Sequence, residues 1–410
     1  MERYQEYKDS GIYFIGTMPS HWKQLRAKYL FKQEKRSVRP QDDIITCFRD
    51  GQVTLRKNRR IDGFTNSEKE IGYQGIRVND LVIHNMDAFA GAIGISDADG
   101  KSTPVYAVCT PRTNCINVYY YCYLLRSLAR DGLILSLAKG IRERSTDFRF
   151  SDFKELVLPI PTTEEQKKIV NYIDRITAQI DKAIDQQQRM IDLLNERKQI
   201  IIQRAVTKGL DPNAEMVDSR VEWCDQISAS WNVRRLRYLC KIKTGNKVTI
   251  MREDEGQYPF FVRSPKVERI NSYTFDTEAI LMSGDGAGAG RIFHYYKGKF
   301  GCHQRVYCFY DFAKEIYPQF LYYQLSEKFK EVFLGQTAKS TVDSVRLLML
   351  KDFQIIFPIL AEQRNIVEHI KKTIKPIEKL IVLSEQKINF LRERKQIIIN
   401  EVVTGKVKVS

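Results

Sequence analysis

Catalytic and metal-binding spacings are missing from this 410-residue chain. Its eight cysteines, at 47, 109, 115, 122, 224, 240, 302 and 308, never form Cys-x-x-Cys, which removes the commonest zinc spacing. Most read instead as core residues of a reducing cytosol. No apolar run approaches the roughly 20 residues of a membrane span. The polar start Met1-Glu2-Arg3-Tyr4-Gln5 is no signal peptide, so a cytoplasmic location and no membrane partner are expected. Gly284 to Gly290 is not Gly-x-Gly-x-x-Gly opening a βαβ unit, and a dinucleotide site is not expected. Gly100-Lys101-Ser102 looks like the end of a P-loop, but Ile95 stands where the earlier glycine is needed and Gly94 is one residue off. It reads as a turn. Asn-Pro-Pro-Tyr, Asp-Pro-Pro-Tyr and His-Glu-x-x-His are absent as well. Together these absences favour a binding protein over a catalyst.

What is present is positive charge and duplication. The formal net charge is +16, which points to a polyanionic partner, most often nucleic acid. Hydrophobic residues at 43% allow real cores, and the length allows two or three domains.

One stretch occurs twice at a constant offset of 197 residues. Glu165-Gln166-x-x-Ile169-Val170 returns as Glu362-Gln363-x-x-Ile366-Val367, and Leu194 to Ile202 returns almost letter for letter as Leu391 to Ile399. A period this long marks two copies of a domain-sized module. Both copies read as long amphipathic helices. Ile169, Ile173, Ile176, Ile180, Ala183, Ile191, Leu194 and Ile201 fall at steps of three and four in the first. Ile366, Ile370, Ile377, Leu380, Ile388, Leu391 and Ile398 do so in the second. Some 45 residues make a rod of about 65 Å. A rod with one apolar stripe must bury it, and its own duplicate is the nearest partner, as a coiled coil with polar slots at Gln187 and Ser384. Thr163 with Gln166 fits a capping box, and Gly209 with Pro212 beyond it marks the end of the first rod. The second lacks such a cap, and Pro376 is expected to kink it or split off its first turns.

The segment leading each half is duplicated too, at an offset of 209. Asp9-Ser10-Gly11 leads to Trp22, Arg26, Tyr29 and Leu30. Asp218-Ser219-Arg220 leads to Trp231, Arg235, Tyr238 and Leu239. Each reads as a strand or arm and a short helix, with the tryptophan anchoring it to a core.

The first globular region has strand-like runs Ile44 to Phe48, Leu81 to Ile83 and Val105 to Val108, separated by turns at Asp50-Gly51, Asp62-Gly63 and Asp99-Gly100. Val118 to Leu137 reads as helix weakened at Gly132. The second has strand-like Ala279 to Met282, Ile292 to Tyr296 and Gln304 to Phe309 around a glycine loop. Leu81 to Asp87 can be laid over Ala279 to Asp285, and elsewhere the two regions diverge. The fold class is α+β: two α/β domains with mostly antiparallel sheets, separated by two long helices in a coiled coil, with internal pseudo-two-fold duplication. The expected boundaries are 1–160, 161–210, 211–358 and 359–410.

Candidate DNA-contacting residues rest on charge and loop position. In the first region they are Arg56, Arg59, Arg60, Arg142 and Arg144, with Lys139 in the same basic cluster. In the second they are Ser283, Asp285, Arg291, His303, Arg305, Lys339 and Ser340. His303 lies near Cys302 and Cys308, but a core or DNA-facing histidine explains it better than a metal site. A glycine loop followed by arginine lets backbone approach phosphate or a base edge.

At this point the chain resembles the specificity (S) subunits of type I restriction–modification enzymes. The likeness is carried by Lys8-Asp9-Ser10-Gly11-Ile12 with Pro19 to Trp22, by Gly91 to Ser96, by Pro159-Ile160-Pro161 with Glu165-Gln166, and by Ala205 to Pro212. It implies two target-recognition domains that each read half of a split DNA site, and two antiparallel helices that set their separation. It implies a subunit without chemistry of its own, docked to two methyltransferase (M) and two motor-nuclease (R) subunits. S-adenosylmethionine, ATP and Mg would belong to those partners. A stand-alone sequence-specific DNA-binding regulator is the alternative.

Overall fold

A computed structural model of the chain describes residues 2–59, 70–137, 147–336 and 344–409. It divides into two compact units. Unit 1 is Met1–Gln186 with Lys387–Ser410, and unit 2 is Gln187–Gln386.

In unit 1 the chain runs β1 (Tyr7–Asp9), β2 (Thr17–Pro19), β3 (Lys23–Arg26), α1 (Ala27–Leu30), β4 (Phe31–Gln33), β5 (Ile45–Cys47), β6 (Val53–Leu55), β7 (Gln74–Ile76), β8 (Leu81–His84), β9 (Ile93–Ile95), β10 (Gly100–Ser102) and β11 (Tyr106–Pro111). Then follow α2 (Val118–Arg130), α3 (Leu133–Leu137), α4 (Phe150–Phe153), β12 (Val157–Ile160) and the long α5 (Thr163–Lys208). Unit 2 repeats the plan with β13 (Met216–Val221), β14 (Cys224–Ser228), β15 (Asn232–Arg235), β16 (Lys241–Thr244), β17 (Tyr258–Phe261), β18 (Glu268–Ile270), β19 (Phe275–Ser283), β20 (Phe293–Cys302), β21 (Val306–Tyr310), α6 (Pro318–Gln336), α7 (Leu347–Asp352), β22 (Gln354–Phe357) and the long α8 (Leu360–Val403).

The central sheets correspond. Unit 1 has the order β4-β11-β8-β9, and unit 2 has β16-β21-β19-β20 extended by β17-β18. All pairings are antiparallel except β17 with β20. In each unit the strand after the leading tryptophan pairs with the strand before the long helix, β3 with β12 and β15 with β22. The expected helix from Val118 to Leu137 breaks at Gly132, whose φ of 92° suits glycine.

Both long helices are anchored by the same three side chains. Trp22 donates its indole N–H to Glu165 at 3.2 Å, and Trp231 donates to Glu362 at 3.1 Å. Gln166, fully enclosed, donates to the Pro161 carbonyl and accepts from the Asn117 amide at 2.8 Å. Gln363 donates to Pro358 and accepts from Tyr317 at 2.7 Å. Such buried amides are retained because every polar atom finds a partner. The shared Glu-Gln therefore joins helix start, leading segment and globular domain. Around it, Trp22, Phe31, Tyr120, Tyr121 and Phe153 pack with Ile169, Ile173 and Val402 in unit 1. Trp231, Phe320, Phe329 and Phe353 pack with Ile366 and Ile370 in unit 2. Burying each such side chain stabilises by about 1.5–3 kcal/mol.

The capping box is shifted by one residue from expectation. Thr162 Oγ1 accepts from the Glu165 amide at 3.2 Å, and the Glu165 carboxylate accepts from the Thr162 amide at 3.0 Å. Gln166 is not the third-position partner because its amide is spent inside the core. Pro376 does not split the second rod, which continues from Leu360 to Val403 with Pro376 exposed. The proline ring faces solvent, away from the packed stripe. Gly100–Ser102 is not a turn but strand β10, antiparallel to β7. A Cβ on Gly100 would lie 2.5 Å from the Asp43 carbonyl, so glycine allows this close approach. The turn expected at Asp62-Gly63 lies outside the described residues.

Within each unit the two long helices run antiparallel. In unit 1, Lys395 pairs with Asp181 at 2.7 Å and Ile398 joins the cluster of Ile169, Ile173 and Ile180. Ile176 and Leu391 are half-buried against it. In unit 2, Lys198 pairs with Glu378, while Gly209 approaches Glu362. There Ile366, Ile370, Ile377 and Ile202 are buried, Ile201 and Leu194 are half-buried, and Ser384 is the buried polar slot. Leu380 turns outward, since the half-buried Ile381 takes the next seam position after Ile377.

Candidate nucleic-acid interface

In unit 2 the interface is built where β19 ends. Ser283 is buried, and its hydroxyl donates to the Asp285 carbonyl at 3.2 Å. The Gly284 amide donates to the Arg305 carbonyl at 2.9 Å, and a Cβ there would meet that oxygen and the Tyr307 ring at 3.0 Å. Gly286 and Gly290 have φ of 72° and 65°, which suit glycine. The loop is thereby pressed against the start of β21.

Asp285 organises the charge. One carboxylate oxygen accepts from Arg263 at 2.9 Å and the other from Arg305 at 2.5 Å. Burial opposes ionisation of Asp285, but these two hydrogen bonds outweigh it and hold its carboxyl below the ordinary aspartate value. Both guanidiniums stay largely exposed, each keeping donors for an external acceptor. His303 is buried beneath them and accepts from the Arg305 amide at 3.1 Å. Burial, then the nearby Arg263, push its pKa below the ordinary value, so the imidazole is neutral at pH 7. Ser283 and His303 thus support the loop from below, while Arg305 faces outward. Arg291 is exposed on the same loop and donates to the Ala287 carbonyl at 3.5 Å.

In unit 1 the corresponding strand, β8, also ends near an aspartate. Asp87 accepts from Arg49 at 2.8 Å, as Asp285 does from Arg263. Arg59 stacks its guanidinium 4.2 Å over the Phe48 ring and donates to Asp50 at 2.7 Å and Gln52 at 3.0 Å. Arg56 donates to Thr46 at 3.2 Å. Arg60, Arg142, Arg144, Lys139, Lys339 and Ser340 lie outside the described residues.

Sequence reasoning missed two features. One is Arg263, brought to Asp285 from 22 positions away, which no local spacing signals. The other is an open cleft of about 1020 Å³ in unit 1, lined by Lys35, Arg36, Tyr73, Gln74, Asn85 and Arg149, among others. The basic run Lys35-Arg36-x-x-Arg39 was the available signal. Among the described residues no group of three or more His, Cys, Asp or Glu is placed to hold a metal ion. No helix there is long and apolar enough to cross a membrane.

Arginines held on acids at loop tips over paired sheets suit recognition of a phosphate-rich or base-edge surface. Comparison with known proteins places this arrangement. The family described as type I restriction modification DNA specificity domain matches residues 69–188 and 229–389, more than half of the chain and once in each half. The chain belongs to this family. It is 28% identical over 182 residues to the type I restriction enzyme EcoDI specificity subunit of Escherichia coli, a match covering 44% of this chain and 40% of that subunit's length. It is 25% identical to the putative type I restriction enzyme MjaX specificity subunit of Methanocaldococcus jannaschii, covering 96% of both chains. Its fold is similar to that of a chain from a solved type I R-M system, with TM-score 0.70 and 16% identity, covering 95% of this chain and 99% of that one. The two family segments fall on the two sheet-bearing regions, and both extend into the long helices.

Proposed function

We propose that this family member is the non-catalytic specificity subunit of a type I restriction–modification enzyme, reading a bipartite, asymmetric DNA site with one half-site per unit. The carrying observation is that the family match occurs twice, once over each unit's sheet and glycine-bearing loop. The loops differ in how they present arginine, which supports two different half-sites and hence asymmetry. Basic loops contact phosphates, and selected side chains, Arg305 and Arg59 foremost, meet base edges in the major groove.

The partners are two adenine-methyltransferase subunits and two motor-nuclease subunits, which carry S-adenosylmethionine, ATP and Mg. Exposed apolar residues at equivalent places on the long helices, Leu193 and Ile200 on α5, Phe390 and Ile397 on α8, support docking of a helical partner subunit.

The test is co-expression with the methyltransferase subunit encoded beside it, followed by genome-wide mapping of methylated adenines. A single split motif that disappears when this chain is omitted is the expected result. No new methylation from an assembled complex supplied with methyl donor would favour a stand-alone DNA-binding regulator.

A further inference from the structure

The two units differ most at their surfaces, yet one exposed constellation is kept in both. In unit 1, Arg26 and Lys28 converge on Glu155 at 3.0 and 3.2 Å, beside the exposed Tyr29. In unit 2, Arg235 reaches Asp352 at 3.4 Å, Arg237 pairs with the same carboxylate, and the exposed Tyr238 stands beside them. Lys154 precedes Glu155, and Lys351 precedes Asp352. The bases and tyrosines recur at the offset of the leading segment, and the acids and preceding lysines at the offset of the long helix. Two separate stretches of chain have therefore kept the same five-residue chemistry.

Fold maintenance explains the residues between them and, in part, Arg237, whose Nε also donates to the Lys351 carbonyl at 3.3 Å. Ala27, Leu30 and their equivalents Leu236 and Leu239 are the buried members of this turn. The Ala27 amide donates to the Leu156 carbonyl as the Leu236 amide donates to Phe353. Arg26, Tyr29, Arg235, Arg237 and Tyr238 point outward and pack no core.

We propose that these two constellations are phosphate anchors, one per unit, that hold the DNA backbone without reading sequence. The assignment rests on the DNA-reading function above and names further residues for it.

Three features favour this ligand. Each constellation sets two cations against one carboxylate, leaving a local positive excess. The acid draws two cations to one place, which lowers the entropy lost when they meet a phosphate, and the tyrosine hydroxyl adds a neutral donor. Second, what recurs is charge and not apolar surface. Leu25 and Val157 are exposed beside the unit 1 constellation, but Arg234 and Gln354 occupy those places in unit 2. A protein-docking patch is expected to keep its apolar members. Third, the unit 2 constellation adjoins the candidate reading loop. The Gly284 carbonyl accepts from the Val345 amide at 2.8 Å, and α7 begins two residues later and ends at Asp352. Backbone is also the one part of DNA that two different half-sites share.

The experiment uses the full chain assembled with its methyltransferase subunit. Binding is measured by fluorescence anisotropy to duplexes with and without the mapped site, over a series of salt concentrations. The variants are Arg26→Gln with Lys28→Gln, and Arg235→Gln with Arg237→Gln. Each pair is expected to weaken binding to both duplexes by the same factor and to reduce the salt slope by about 1–2. The ratio of specific to non-specific affinity and co-purification with the methyltransferase subunit stay unchanged. The charge-keeping changes Arg26→Lys and Arg235→Lys should leave the slope near its original value. An unchanged slope in the Gln variants would overturn the proposal. So would loss of methyltransferase co-purification, which would make the patch a protein-docking site, or a loss confined to the duplex carrying the site. If the unaltered complex binds both duplexes equally, sequence reading fails, and the slope on either duplex still judges the anchors.

Discussion

Asp285 in unit 2 gathers two arginines on one carboxylate, whereas its unit 1 counterpart Asp87 accepts from Arg49, and Arg59 donates to Asp50 instead. Beneath those loops the units use the same parts. Tryptophan meets glutamate, glutamine closes the turn before the helix, and a β-strand pair joins the two ends of each domain. The contrast separates two kinds of constraint. A helix anchor must satisfy several buried polar atoms at once, so few sequences serve. A loop facing outward is constrained only by what it touches. Divergence in the loops over a shared anchor is what the proposed reading of two different half-sites requires.

The largest effect should come from the shared anchor. Trp22→Ala and Trp231→Ala should each cost about 3–5 kcal/mol, read by urea denaturation with a probe in each unit. Costs that differ by more than about 2 kcal/mol would break the equivalence of the two anchors. Pro376 is the next handle, because its counterpart at the 197-residue offset is Gln179. Pro376→Gln restores a backbone donor in a helix interior and should stabilise the protein by about 1–3 kcal/mol. No gain in melting temperature would show that the flanking packing already absorbs the missing hydrogen bond.

Asp285 sharpens the contrast between loops. Its folded pKa is depressed, so its stabilising contribution is present above the ordinary aspartate value and lost as pH falls through the lower folded value. Asp285→Asn should remove about 1–2 kcal/mol near neutrality and flatten the acid limb of unit 2's stability profile. An unaltered acid limb would contradict the role given to the two arginines. The smallest effect concerns the duplicated turn. Gly11 has φ of 64° and its counterpart Arg220 has 55°, each donating its amide to the aspartate two residues before. A left-handed arginine is strained by about 1 kcal/mol, so Arg220→Gly should stabilise by roughly that amount or less, seen as a small rise in melting temperature.

Much of this was legible in the sequence where a residue acts on near neighbours or recurs at a fixed offset. The two long helices, their seam at Ile169, Ile173, Ile366 and Ile370, the end at Gly209 and the anchoring tryptophans all follow from spacing alone. The cap was misplaced by one residue because Thr162 and Thr163 are both competent, and only the burial of Gln166 decides between them. Strand β10 was read as a turn because Gly-Lys-Ser has no apolar alternation, and its pairing depends on β7, some 25 residues earlier. At the candidate interface, charge and glycine point to Arg305 and Asp285, which the fold pairs with each other. The inward position of Ser283 and His303 was not legible, since polar residues at a strand end look alike whether they face the ligand or support it. Arg263 was hidden because it reaches Asp285 through the sheet.

In the proposed function, recognition is divided between the units while the long helices set only the distance between half-sites. Inserting four residues into α5 beside Gln187 and mapping methylated adenines in the co-expressed complex tests it most directly. The predicted result is a changed spacer with both half-site sequences preserved. Altered half-site sequences at an unchanged spacer would contradict it.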